Sequence, residues 1–219
     1  MKKLILTYLL ITFCSATIMF VPASGGMTYN KDTFNRVNSG TVGNGWTEVE
    51  TVGSCSIASN RLELSKPLGI RVCVYKTTTI GDGYTIDRFP AKVVVTFRRN
   101  AGSDARNAII WGGDTAANDF TGVDNTGLTV YFESSDKIYI RDTSGQLAVT
   151  DLSYTADTDF DFVITYYSRR HIKVEVDGIS KIDFTKGSDF TMDSVNFKIA
   201  SYVAATATSL FDDLEVTQL

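Results

Sequence analysis

From His171 to Asp177 the chain alternates without a break. Ile172, Val174 and Val176 fall between His171, Lys173, Glu175 and Asp177. Side chains of an extended strand point to opposite faces in turn, so this run offers one face to a core and one to water. The same period recurs. In Lys92–Arg98, Val93, Val95 and Phe97 share a face; in Leu128–Phe132, Leu128, Val130 and Phe132 do; in Asp159–Tyr167, Phe160, Phe162, Ile164 and Tyr166 do. No stretch after Gly26 carries the 3.6-residue period of a helix. The pattern confines the chain to antiparallel sheet, which tolerates one wet face.

Turn signals separate the runs. Asn44-Gly45, Asp82-Gly83 and Asp177-Gly178 are tight-turn pairs, Ser144-Gly145 divides KIYIRD from LAVTDL, and Ser168-Arg169-Arg170 joins two runs. Roughly a dozen short strands at regular spacing predict an all-β, two-sheet antiparallel sandwich. No repeat, low-complexity run or linker interrupts it, so one domain spanning 27–219 is expected.

The residues before that domain read as a targeting segment. Lys2 and Lys3 precede an uncharged apolar run from Leu4 to Val21, and Val21-Pro22-Ala23 fits the small-residue cleavage pattern. Residues 1–23 are expected to be a signal peptide. The alternative is an uncleaved membrane anchor, the one route by which the chain would meet a membrane. Without the segment, 19 basic residues face 25 acidic ones, a net charge near −6. A weakly acidic chain without a basic patch argues against nucleic acid as a partner. Two cysteines remain, Cys55 and Cys73, on runs expected to be neighbouring strands. In an exported chain they predict one disulfide, against the alternative of two buried thiols. No asparagine begins a glycosylation sequon.

Asp32-x-Phe34-x-Arg36, then Gly43-Asn44-Gly45-Trp46, then Ile57…Asn60-Arg61-Leu62-x-Leu64 resembles the entry strands of the concanavalin A-like lectin/glucanase superfamily. The laminin-G-like jelly rolls are nearest in appearance. Val174–Gly178 and the closing Phe211–Val216 match the family's tail. The resemblance implies a jelly roll whose first and last strands pair side by side. It implies a structural calcium where the chain ends meet, with Asp32 and Asp212 or Asp213 as carboxylate ligands; an ion pair between Asp32 and Arg36 is the competing reading. By alternation alone, Phe211, Asp213 and Glu215 share one face while Asp212, Leu214 and Val216 share the other. One aspartate is therefore expected to point toward the apolar side.

Glucanases on this fold place paired carboxylates on one strand, as Glu-x-Asp-x-x-Glu or Glu-x-Asp-x-Glu, so that acid and nucleophile flank the glycosidic bond. That spacing is absent; Glu175-x-Asp177 is the nearest fragment. His171 is the only histidine, which leaves no histidine-based metal cluster. No phosphate loop, dinucleotide fingerprint or nucleophile elbow occurs. A non-catalytic domain is expected. Sugars stack on aromatic faces and bond to charged and amide groups, and the candidates by strand parity or position are Trp111, Tyr139, Tyr167 and Tyr202, with Arg98 and Arg141. The expectation is an exported lectin-like domain that binds a cell-surface or matrix glycan. A self-associating structural or adhesive surface, filament or virion component is the alternative, and an orphan glycan-active enzyme the third reading.

Overall fold

The computed structural model describes residues 28–50, 53–66, 70–77, 90–99, 105–114, 127–133, 136–153, 155–192, 196–203 and 207–219. In parts of some strands, including at Cys73 and Tyr202, the description is of the backbone alone. The apolar N-terminal segment, Asp82-Gly83 and residues 115–126 lie outside it. Among the described residues no helix is long and apolar enough to cross a membrane.

Fifteen strands are described: β1 (Thr28–Asp32), β2 (Thr47–Glu50), β3 (Ser54–Ala58), β4 (Arg61–Lys66), β5 (Ile70–Thr77), β6 (Ala91–Arg99), β7 (Ala105–Gly113) and β8 (Leu128–Glu133) in the first part. β9 (Lys137–Asp142), β10 (Gly145–Asp151), β11 (Asp159–Ser168), β12 (His171–Val176), β13 (Ile179–Thr185), β14 (Asn196–Val203) and β15 (Ala207–Gln218) follow. They form two antiparallel sheets. The eight-stranded sheet runs β13-β12-β11-β6-β15-β4-β3, with β1 also paired to β15; the seven-stranded sheet runs β10-β9-β8-β7-β14-β5-β2. All four runs singled out by alternation are strands, and the first and last strands pair: Lys31 lies opposite Glu215 and Asp32 opposite Leu214.

The turns follow their residues. Asp177 and Gly178 both have positive φ, 50° and 74°, the mirror-image turn that matches strand twist. Ser59 and Asn60, at 51° and 61°, make the same kind of turn between β3 and β4, which no Asn-Gly or Asp-Gly signal announced.

The core lies between the sheets. Phe97 contacts Phe132, Phe162 and Phe211 at centroid distances of 5.6, 5.9 and 5.2 Å, all four buried. Toward one end Trp46, Phe197, Trp111 and Tyr166 continue the stack. Truncating one such ring costs about 3–5 kcal/mol, since the cavity closes only in part.

Two expectations need correction. In β15, Asp212 lies opposite Thr96 but Glu215 opposite Val94, so one extra residue is inserted. This β-bulge, with Asp213 at φ 47°, resets the alternation. Phe211, Leu214 and Val216 all point inward, and both aspartates point outward. The strands that carry the two cysteines are also not paired in one sheet: Cys55 is in β3 of one sheet and Cys73 in β5 of the other, and these strands approach each other where the sheets meet. Cys55 is buried; the Cys73 side chain lies outside the description.

Candidate functional site

The outer face of the seven-stranded sheet gathers aromatic and charged side chains near the β8–β9 pair. In β8, Leu128, Val130 and Phe132 fill the core, which turns Thr129, Tyr131 and Glu133 outward. In β9, Ile138 and Ile140 are buried, which turns Tyr139 and Arg141 outward. Tyr131 and Tyr139 are cross-strand partners, and their rings stack at 4.5 Å with planes 2° apart. Ala108, Ile110, Tyr131 and Ala200 form an apolar cluster on this face, packed by Tyr139 and Val49.

Charge is fixed beside the stack. Glu133 accepts from the Tyr139 hydroxyl at 2.8 Å and pairs with Arg106 at 3.0 Å. Burial pushes the Tyr131 hydroxyl pKa up, and a hydrogen bond with Arg141 and the guanidinium charge oppose that rise. Tyr139 turns its second face away from Tyr131, toward edge strand β10, where its register partner Val149 is 45% exposed. Gln146, the partner of Arg141, is exposed as well. A half-buried ring flanked by a carboxylate, a guanidinium and an amide can stack on the C–H face of a sugar while bonding its hydroxyls.

The structure brings together two of the expected residues, Tyr139 and Arg141, and adds Tyr131, Glu133 and Arg106. The signal for Tyr131 was present in β8, whose alternation forces it outward. Trp111 leaves the set. It shares a face with Ile109, is 3% exposed and packs against Tyr166 and Phe197, so it is a core residue. Tyr167 and Arg98 lie on the opposite side of the sandwich, on β11 and β6. Arg98 is engaged there with Asp159, which Arg61 also holds, at 2.7 and 2.6 Å. Tyr202 lies opposite Arg106 in the backbone register, and its side chain lies outside the description.

The expected calcium ligands are not assembled. Asp32 is 3% exposed and faces inward, whereas Asp212 and Asp213 face outward from the bulge. The Asp32 carboxylate accepts from the Phe34 amide at 2.8 Å, from Arg36 Nη1 and Nη2 at 2.7 and 3.2 Å, from Asn44 Nδ2 at 3.0 Å and from Trp46 Nε1 at 2.8 Å. Burial alone would raise its pKa, but these donors outweigh it and hold the carboxyl at about 2. Five N–H donors occupy the lone pairs that a cation would need, so Asp32 does not fit a calcium site. Arg36 also donates to the Val42 carbonyl from Nε and Nη2. The entry motif is thus a clasp that ties β1 to the loop before β2. Asp212 lies 3.6 Å from Arg61, and burial raises its pKa against the lowering effect of the hydrogen bond from the Asp213 amide. Among the described residues no group of three or more metal-ligating side chains is gathered.

No protein-family model and no curated protein matches the chain. Solved structures match it in shape. A Bacillus subtilis protein of unknown function with a galectin-like fold has a TM-score of 0.65 at 12% identity, covering 88% of this chain and 96% of that one. The carbohydrate-binding module CBM66 from Bacillus subtilis has a TM-score of 0.57 at 11% identity, covering 80% and 96%. The exoplasmic/lumenal domain of VIP36, in its Ca2+- and Man3GlcNAc-bound form, has a TM-score of 0.63 at 15% identity, covering 80% and 84%. At these identities the likeness is one of fold: a lectin-type jelly-roll sandwich.

Proposed function

We propose that the protein is an exported, non-catalytic carbohydrate-binding domain that recognises a cell-surface or matrix glycan on the outer face of its seven-stranded sheet. The observation that carries the reading is Tyr139, stacked on Tyr131 and held by Glu133, with Arg141 alongside. The shared fold with a carbohydrate-binding module and a glycan-bound lumenal domain supports it by analogy. Export is supported by Lys2, Lys3 and the apolar run that follows them.

The test is a glycan array probed with the purified chain, with calcium and with chelator, after sizing by light scattering. A selective, saturable hit is expected. It should weaken at least about tenfold in Tyr139→Ala, which removes the stacking face, and less in Tyr139→Phe, which keeps it. A blank array from a monodisperse oligomer or polymer would overturn the reading in favour of a structural subunit.

A further inference from the structure

The outer face of the eight-stranded sheet carries a groove of about 550 Å³, lined by Lys31, Thr33, Lys92, Val94, Asp213 and Glu215 among others. Two rows of cross-strand partners lead away from it. One runs Thr217, Lys92, Thr165, Lys173, Asp183; the other runs Glu215, Val94, Val163, Glu175. The first row crosses from β15 to β13, four inter-strand steps or about 19 Å. Beside this row, on β11 two residues beyond Thr165, stands Tyr167, 44% exposed. Its ring stacks on His171 at 4.7 Å, and His171 Nε2 lies 2.6 Å from Asp183 Oδ1.

Charge along this path is compensated in place. Lys31 pairs with Glu215 at 3.2 Å and Lys173 with Glu175 at 2.9 Å. Lys92 adds its charge beside Glu215. Three lysines thus meet four carboxylates, counting Asp183 and Asp213, which leaves no positive excess to hold a polyanion. Paired carboxylates keep lone pairs for hydroxyl donors, and the ammonium groups keep protons for hydroxyl acceptors.

We propose that this face is a second saccharide site, an open trough that takes a neutral oligosaccharide with Tyr167 as its stacking platform. The proposal rests on the carbohydrate-binding reading above and adds a face that reading does not use. The two sites lie on opposite sides of the sandwich. One domain would therefore hold two glycan chains, or bind one multivalent surface with increased avidity.

The test is calorimetric titration of the chain with neutral cellohexaose, maltohexaose and mannohexaose, in wild type, Tyr167→Ala, Tyr167→Phe and Tyr139→Ala. The wild type should bind two molecules of one of these probes. Tyr167→Ala should weaken one site at least about tenfold, and Tyr167→Phe should keep it because the ring is retained. Tyr139→Ala should affect only the other site. Tyr167 is exposed, so its removal leaves the fold intact, and an unchanged melting temperature checks this. A single site lost in Tyr139→Ala and untouched in Tyr167→Ala overturns the trough and leaves the first reading standing. A single site lost only in Tyr167→Ala upholds the trough and overturns the first face. No binding of these probes overturns the trough alone when an array hit is lost in Tyr139→Ala, and overturns both when the array is blank.

Discussion

The indole Nε1–H of Trp46 donates to Oδ2 of Asp32 at 2.8 Å, across 14 residues of chain. Between the two lies a Gly- and Asn-rich loop, tied elsewhere by the Ser39–Ile57 backbone bridge and by Arg36 on the Val42 carbonyl. Phe34, inside that loop, is fully buried at φ 51°, a backbone region an aromatic residue enters only when its surroundings insist. The Asp32 carboxylate supplies that insistence by collecting donors from Phe34, Arg36, Asn44 and Trp46.

Asp32→Ala should therefore cost about 2–4 kcal/mol, because it strips a part-buried guanidinium and the buried Phe34 and Trp46 N–H groups of their partner. Asp32→Asn should cost less, since it keeps one acceptor. Urea unfolding followed by tryptophan fluorescence reads both. A loss below about 1 kcal/mol for the alanine variant would mean the clasp is ornamental.

The same carboxylate sets an acid dependence. Its folded pKa, about 2, lies below the ordinary 3.8, so the unfolded chain binds the proton more readily. Its contribution, about 2–3 kcal/mol, is complete above about pH 5, shrinks as pH falls through 4 and vanishes below about 2. Asp159, held low by Arg61 and Arg98, acts in the same direction. So does Asp142: burial would raise it, but Lys186, Ser144 and the Thr191 amide hold it low. Stability measured from about pH 7 to about pH 3 should fall, and Asp32→Asn should flatten that slope. A slope unchanged in the variant would remove Asp32 from the account.

The parts of this fold that the sequence disclosed are those written in strict alternation. β6, β11 and β12 each bury mainly one face, and there, as in β8 whose outer Thr129 and Tyr131 are also covered, the core residues are the ones the period names. Where both faces are apolar the period is mute. In β7, Ala108 and Ile110 are as buried as Ile109 and Trp111, so Trp111 could not be assigned to the core. The β15 bulge escaped for a different reason: an inserted residue has no marker when it is an aspartate, which tolerates positive φ. The Tyr139 site was legible only in part. Its own parity was plain, but its tie to Glu133 and Arg106 depends on the order of strands in the sheet, which alternation does not encode.

Asp213 tests the bulge. At φ 47° a glycine loses nothing, whereas a β-branched side chain crowds the following carbonyl. Asp213→Gly should leave stability within about 0.5 kcal/mol or raise it. Asp213→Val should lower it by about 1–2 kcal/mol. Paired unfolding curves decide this. Equal stabilities would mean that the strand slides back into regular register, which would force Leu214 and Val216 outward.

A second buried carboxylate works between the sheets. Asp142, fully buried at the end of β9, accepts from the Ser144 and Thr191 amides at 2.9 and 3.1 Å and pairs with Lys186, in the loop after β13. The pair ties one edge of the seven-stranded sheet to the neighbouring edge of the other. Lys186→Met should cost about 3 kcal/mol, since it leaves a buried anion with only neutral donors. Asp142→Asn keeps an acceptor for those donors but needs no counter-charge. The double variant Asp142→Asn/Lys186→Met should therefore be more stable than Lys186→Met alone, with a coupling energy of about 1–3 kcal/mol. Urea unfolding of the four-member cycle measures it. Additive losses would show that the ion pair contributes nothing beyond its separate hydrogen bonds.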